Sequence, residues 1–246
     1  MARLTFVVLF LCAVVSASNN QAQTIAAKAA AALTGGVTVS DVTLAGNVTA
    51  IAGSDTQIGT ATLMATATNC SRVDLSLGTG TRTDIQNGSS GIPLGAWNTN
   101  NGPLKAHAQH NDWIDASWFF PALTSLLDPN ALLIYVGQES RGGTAVYHLR
   151  SYRANSAAFA QQLSQMDFYL DTSSFLPIAV DFNVHPDDNV SINIPVEIVY
   201  SGYQLSNGVS VPMHIQRYVQ GSLMLDVNVT AVTLNSGLSQ TEFAVQ

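Results

Sequence analysis

Charge is the scarcest resource in this sequence. Asp, Glu, Lys and Arg make up 10% of its 246 residues, where about 25% is usual, and Thr, Ser, Asn and Gln keep the surface wet instead. The balance is acidic, with a net charge of -7. That excludes a nucleic-acid footprint, which needs clustered Lys and Arg. It also leaves no polybasic patch for anionic lipid head groups. Cysteine is nearly absent: Cys12 falls in an N-terminal apolar run, so Cys70 stands alone beyond it. One thiol makes no internal disulfide, and the fold must hold by burial and hydrogen bonding. A free, buried thiol is favoured over a reactive one.

No hydrophobic run reaches the roughly 20 residues that span a bilayer as a helix. Catalytic motifs are missing too. There is no phosphate-binding loop, no dinucleotide fingerprint and no paired catalytic carboxylates. Gly88-Ser89-Ser90-Gly91 has neither the spacing nor the strand-to-helix setting of a nucleophile elbow. The expectation is a protein that is not an enzyme and carries no cofactor.

The N-terminus reads as a processing signal. Arg3 precedes an apolar run over residues 4–15, and Val15-Ser16-Ala17 is a small-residue cleavage motif. Asn20-Gln21-Ala22 supplies a second cut site. Cys12 does not fit lipid attachment, because bulky Leu11 precedes it. These features predict a signal over residues 1–17 and one domain over 18–246, long enough for a sizeable core. The protein is then periplasmic or secreted, and not integral to the membrane once the signal is gone.

What the chain does have is alternation. Apolar residues share one parity at Met166, Phe168 and Leu170, then at Ile178, Val180, Phe182 and Val184, then at Ile194, Val196, Ile198 and Tyr200. After a turn at Ser206-Asn207-Gly208 come Val209, Val211, Met213 and Ile215, then Leu223, Leu225, Val227 and Val229. Period two places successive side chains on opposite sides of a sheet, so this is an antiparallel meander with one apolar face to be covered. The parity changes near Ala231, which predicts a bulge.

Upstream, Ala-rich residues 24–33 stop at Gly35-Gly36 and predict a helix. Strands follow over 37–51, 57–68, 72–77 and 81–86. From about 87 to 117 the pattern dissolves into Gly, Asn, Ser and Pro with scattered His, an irregular insertion. A short helix is predicted over 122–127, a hairpin over 132–138 and 144–152, and a helix capped by Asn155 running to Gln165.

Two clusters in this middle region invite chemistry. His107, His110, Asp112 and Asp115 combine metal-ligating types, but with no helix to align them and no third His nearby, a solvated loop is the favoured reading. His185-Pro186-Asp187-Asp188-Asn189 offers oxygens, yet Ca²⁺ wants six or more, and a turn between strands explains it equally. No metal is expected. Trp113, Trp118, Phe119 and Phe120 form an aromatic group before Pro121, which is either the rim of a groove or, as favoured, a plug beneath the loop.

The order of elements resembles the LolA-like and LolB-like lipoprotein-localisation superfamily of periplasmic carriers. The residues carrying the likeness are Phe168-Tyr169-Leu170-Asp171 with Leu176-Pro177, and Val199-Tyr200-Ser201-Gly202-Tyr203. Gly208-Val209-Ser210-Val211-Pro212 and the closing Leu234-Asn235 with Phe243 complete them. The resemblance implies a mainly β fold with a few helices, in which a single curved antiparallel sheet forms an incomplete barrel wrapped around helices. It implies an apolar groove for a lipid, an acyl chain or a lipidated protein.

On that reading Phe168, Phe182, Ile198, Met213 and Leu225 line the groove, each mid-strand on its strand's apolar parity. The alternative is an outer-membrane or surface-associated interaction domain whose core is filled by its own helices. A membrane-spanning barrel fits less well, since neither aromatic girdles nor a final aromatic are present.

Overall fold

The computed structural model describes residues 20–88, 94–108, 115, 117–128, 131–153, 158–186 and 188–245. Helix α1 covers residues 20–34, starting one turn before the predicted helix. Its buried residues are Ala22, Ile25, Ala26, Ala29 and Leu33. They recur every three or four positions and form one apolar stripe. The helix stops at Gly35, whose φ of 56° suits glycine alone at low cost. A Cβ there would also meet the Gly208 carbonyl oxygen at 2.6 Å. The Ser210 hydroxyl donates to the Ala32 carbonyl at 2.8 Å, fastening the same end of the helix.

Four strands, β1 (Asp41–Ala52), β2 (Asp55–Thr66), β3 (Cys70–Leu77) and β4 (Gly80–Asn87), run as a meander. β5 (Leu94–Asn98) and β6 (Lys105–Ala108) continue it inside the region read as an irregular insertion. Gly95 and the polar residues flanking this pair hide the alternation, and pairing with β4 supplies the order that local propensity does not.

The second half comprises β7 (Ala131–Arg141), β8 (Thr144–Arg153), helix α2 (Ala158–Leu163), β9 (Met166–Asp171), β10 (Pro177–Val184) and β11 (Ile194–Ser201). A small ribbon of β12 (Gln204–Ser206) and β13 (Val209–Val211) precedes β14 (His214–Val219) and β15 (Ser222–Leu234). The apolar run 209–215 is thus two strands rather than one, because Pro212 between them has no N–H for a ladder. Among the described residues thirteen strands form one sheet in the order β6-β5-β4-β3-β2-β1-β15-β14-β11-β10-β9-β8-β7. β6 and β7 stay at its two edges, so the barrel is incomplete, as the family likeness implies. The bulge is present: Ala45 pairs with Ala231 but Gly46 with Val229, leaving Thr230 as the extra residue.

The inner faces of the two wings meet in one core, so the sheet curls. Val42, Leu44 and Leu63 from one wing share that core with Leu149, Phe168, Val180 and Ile198 from the other. Two things fill the space between them. One is the α1 stripe. The other is the segment from Ser117 to Leu127, where a predicted helix resolves into two 3-10 turns, Pro121–Leu123 and Ser125–Leu127, broken at extended Thr124. Leu163 of α2 is buried outside the main cluster.

β15 ends at Asn235, whose left-handed φ of 55° turns the chain outward. The Asn235 side chain accepts from the Ser40 N–H at 2.7 Å and donates to the Thr38 carbonyl at 2.9 Å. Asp41, 3% exposed, accepts from the Ser236 N–H at 2.7 Å and the Gly237 N–H at 3.0 Å. Phe243 then enters a separate small cluster with Cys70 and Ile85 on the opposite face of the sheet. Cys70 is free and buried.

Burial alone would raise the Asp41 carboxyl, but hydrogen bonds from Ser236, Ser40 and Gly237 outweigh it and hold its pKa below the ordinary range. A lowered carboxylate stabilises above its unfolded pKa of 3.8 and loses that contribution as pH falls through its folded value. Asp41→Ala is therefore expected to cost about 1–3 kcal/mol at neutral pH in urea denaturation, with a smaller difference in strong acid. Equal midpoints at neutral pH would show that this clamp holds nothing.

Candidate functional site

Between the wings, the sheet leaves a cavity of about 500 Å³. Val73 and Leu75 of β3 form one wall, and Phe182 and Val184 of β10 the opposite one. Val219 of β14 with Met224 and Leu225 of β15 close the back. Trp97 and Trp118 add aromatic surface. Inner-face alternation puts these side chains there, since Val73 and Leu75, Phe182 and Val184, and Arg217 and Val219 each stand two apart on a strand.

Of the residues expected to line a groove, the structure brings Phe182 and Leu225 together in this cavity. Phe168 and Ile198, each 0% exposed, pack in the central core away from the cavity wall. Met213 is half-buried and packs against that core. Phe119 and Phe120 are fully buried and form a plug, while Trp118, buried beside them, also presents part of its surface to the cavity. The Trp118 and Phe119 rings meet edge to face at 5.3 Å. The Tyr200 hydroxyl donates to the Trp118 carbonyl and ties the plug to β11.

His185 borders the cavity, with its Nδ1 2.9 Å from the Ile192 carbonyl oxygen. That contact closes the turn favoured for this stretch. The side chain of His107, and all of His110, Asp112 and Trp113, lie outside the described residues. Among the described residues no group of His, Cys, Asp and Glu could hold a metal ion.

The residues missed in the sequence are charged. Arg82, Asp84 and Gln86 of β4 and Arg217 of β14 all face the cavity. The Nε atoms of both Arg82 and Arg217 are buried without a hydrogen-bond partner. Other arginines behave differently. On the outer face Arg72 contacts Asp74 at 2.7 Å, Arg150 contacts Asp167 at 2.7 Å, and Arg141 contacts Asp181 and Glu197 at 2.8 Å each. Arg217 instead lies over the Trp118 ring, 5.2 Å from its centroid. Burial pushes its guanidinium below the ordinary range, and the field of Asp84 only partly opposes this. A signal was available: Arg217 interrupts the apolar parity of Met213, Ile215 and Val219, where a core residue belongs.

Asp115 borders both this cavity and a second, more polar recess of about 870 Å³, lined by Thr124, Ser125, Asp128, Tyr152 and Arg153 among others. The Ser125 N–H donates to its carboxylate at 2.6 Å. Burial raises the Asp115 carboxyl to about 6 despite that bond.

No protein-family model matches the chain, and curated protein sequences give no match. Solved structures do match in fold. A LolA superfamily protein of Nitrosomonas europaea is 12% identical with a TM-score of 0.57, covering 91% of this chain and 97% of its own. A DUF1329 family protein of Desulfovibrio piger is 10% identical with a TM-score of 0.60, covering 92% and 97%. A Vibrio parahaemolyticus domain assigned to outer membrane lipoprotein sorting is 12% identical with a TM-score of 0.57, covering 89% and 94%. The chain has a LolA-like fold.

Two outcomes follow from the charges. A raised carboxyl costs nothing below its unfolded pKa of 3.8 and its full penalty above about 6, so stability falls as pH rises between them. Asp115→Asn should therefore gain melting temperature over wild type near pH 7.5 and little near pH 4; an identical offset at both would show an ordinary carboxyl. Arg217→Leu removes, from an apolar parity position, a guanidinium whose Nε is buried without a hydrogen-bond partner. It is expected to stabilise the unliganded protein by about 1–2 kcal/mol in urea denaturation, and a loss of stability would show that the Trp118 ring and the Asp84 field outweigh the unmade Nε hydrogen bond.

Proposed function

We propose that this protein is an exported carrier that holds an acyl chain, of a lipid or of a lipidated protein, in the cavity between the wings of its sheet. The observation that carries the reading is the cavity itself: α1 and the Trp118 plug fill the centre of the half-barrel and leave about 500 Å³ unfilled beside it. That volume lies in the range of about 300–1,000 Å³ typical of small-molecule sites. Each methylene moved from water to such a wall contributes about 0.8 kcal/mol before binding costs, so shape and apolar area alone supply useful affinity. The LolA-like fold supports the same class of ligand, since a structural neighbour is assigned to lipoprotein sorting.

In this reading Phe182 and Leu225 touch the chain, while Phe168, Ile198 and Met213 support the wall from the core. Export would follow the N-terminal signal. Cleavage after Ala17 leaves α1 whole, whereas cleavage after Ala22 removes the helix's first turn and its fully buried Ala22. One domain over residues 18–246, free in the periplasm or secreted, then carries the cavity.

Organic extraction of the protein purified from the periplasm, followed by mass spectrometry, should release a stoichiometric lipid or acyl species. A tail-labelled fluorescent fatty acid should bind the delipidated protein. Met224→Trp, which fills the cavity without removing a core contact, should weaken that binding at least about tenfold. A wild-type protein that carries no lipid and takes up no probe would sink the carrier reading, leaving an exported interaction domain with a filled core.

A further inference from the structure

We propose that the cavity is built for an anionic amphiphile, its acidic head group held by the guanidiniums of Arg217 and Arg82 and its chain by the wall of Phe182, Val184, Val219 and Leu225. This rests on the acyl-site reading above and narrows the ligand class.

Geometry comes first. Arg82 and Arg217 stand on β4 and β14, five places apart in the strand order, yet curvature brings both to one cavity. Each has a buried Nε without a hydrogen-bond partner. Leaving a buried donor unmade costs the full desolvation of that group. Two such donors in the same cavity form a matched deficit. A carboxylate or phosphate is the chemistry that fills it, because the planar guanidinium fork presents parallel N–H groups to paired oxygens.

Alternative partners inside the protein do not close the deficit. Asp84 shares the cavity and its field reaches Arg217, but Asp84 has another partner of its own. The Asp115 carboxylate is engaged by the Ser125 N–H. Trp118 offers Arg217 the face of its ring, a contact that consumes no N–H donor. A ligand of hydrocarbon alone would be served better by leucine at position 217, which would extend the apolar parity of Ile215 and Val219. Arginine at that place is explained by a counter-charge arriving with the ligand.

The test compares three tail-labelled sixteen-carbon probes on the delipidated full-length protein: the fatty acid, its methyl ester and the corresponding alkyl phosphate. The fatty acid or the phosphate should bind at least about tenfold tighter than the ester. Whichever of the two is tighter identifies carboxylate or phosphate as the head group. Arg217→Leu and Arg82→Leu should each reduce that preference by weakening the acidic probe, while the ester still binds, as well as or better than to wild type because leucine extends the apolar wall, which also reports an intact cavity. Arg217→Lys should keep part of it. Equal binding of all three probes by wild type would overturn the anion site while leaving the acyl site standing. Retention of the preference by both leucine variants would overturn it too. Failure of wild type to bind any probe would instead remove the acyl-site reading, and this inference with it.

Discussion

The thirteen antiparallel strands of the described residues present more apolar inner surface than helix α1 and the segment from Ser117 to Leu127 can cover while the sheet lies flat. Curling solves this, because each wing then covers the other, and the central strands β1, β15 and β14 become the floor. Everything else depends on that closure of one face upon itself. The stripe on α1 must be narrow, built from Ala22, Ala26 and Ala29 around Ile25 and Leu33, since a helix inside a half-barrel has little room. The bulge at Thr230 and the glycine opposite it serve the bend, and a Cβ on Gly46 would sit 2.2 Å from the Asn228 carbonyl oxygen.

The outer face answers a different problem. Asp167, Asp181 and Glu197 stand side by side on β9, β10 and β11, directly cross-strand from one another. Like charges in that arrangement repel. Arg141, reaching over the Tyr169 ring at 3.7 Å, binds the last two, and Arg150 and His148 bind the first. Hydrogen bonds from His148, Arg150 and Gln165 outweigh burial and hold Asp167 below the ordinary range, whereas burial prevails at Asp181 and raises it. With so few charges in the chain, concentrating them in one bridged row keeps the sheet's exposed side polar.

The fold was largely legible because period-two alternation is a local signal with a global meaning. Phe168, Phe182, Ile198 and Leu225 could be assigned to one face without knowing what covers it, and even the bulge showed as a change of parity. β5 and β6 were not legible, since their order comes from β4 and not from their own residues. The 3-10 turns at Pro121–Leu123 and Ser125–Leu127 read as a helix because apolar spacing over six residues does not distinguish the two. The site was legible in part. Parity identifies inward residues but not depth, so Phe168 and Ile198 fall in the packed core while Phe182 and Leu225 reach the cavity.

Where the cavity lies follows from β4. Its inward positions are Arg82, Asp84 and Gln86, all polar, while Ile85 faces the Phe243 cluster on the other side. The strand beside it, β3, points Val73, Leu75 and Leu77 inward and belongs to the main core. The apolar inner face is therefore interrupted at β4, and beyond it Trp97 of β5, cross-strand from Asp84, supplies aromatic surface to the cavity. Opposite it, β10 and β14 go on presenting Phe182, Val184 and Val219. An apolar wall then confronts the polar stripe of β4 across space that packing does not close, because closing it would bury the polar side chains of β4 against hydrocarbon. A half-barrel with this asymmetry keeps an opening between its walls, and the amphiphile proposed for it, apolar at one end and charged at the other, would match both.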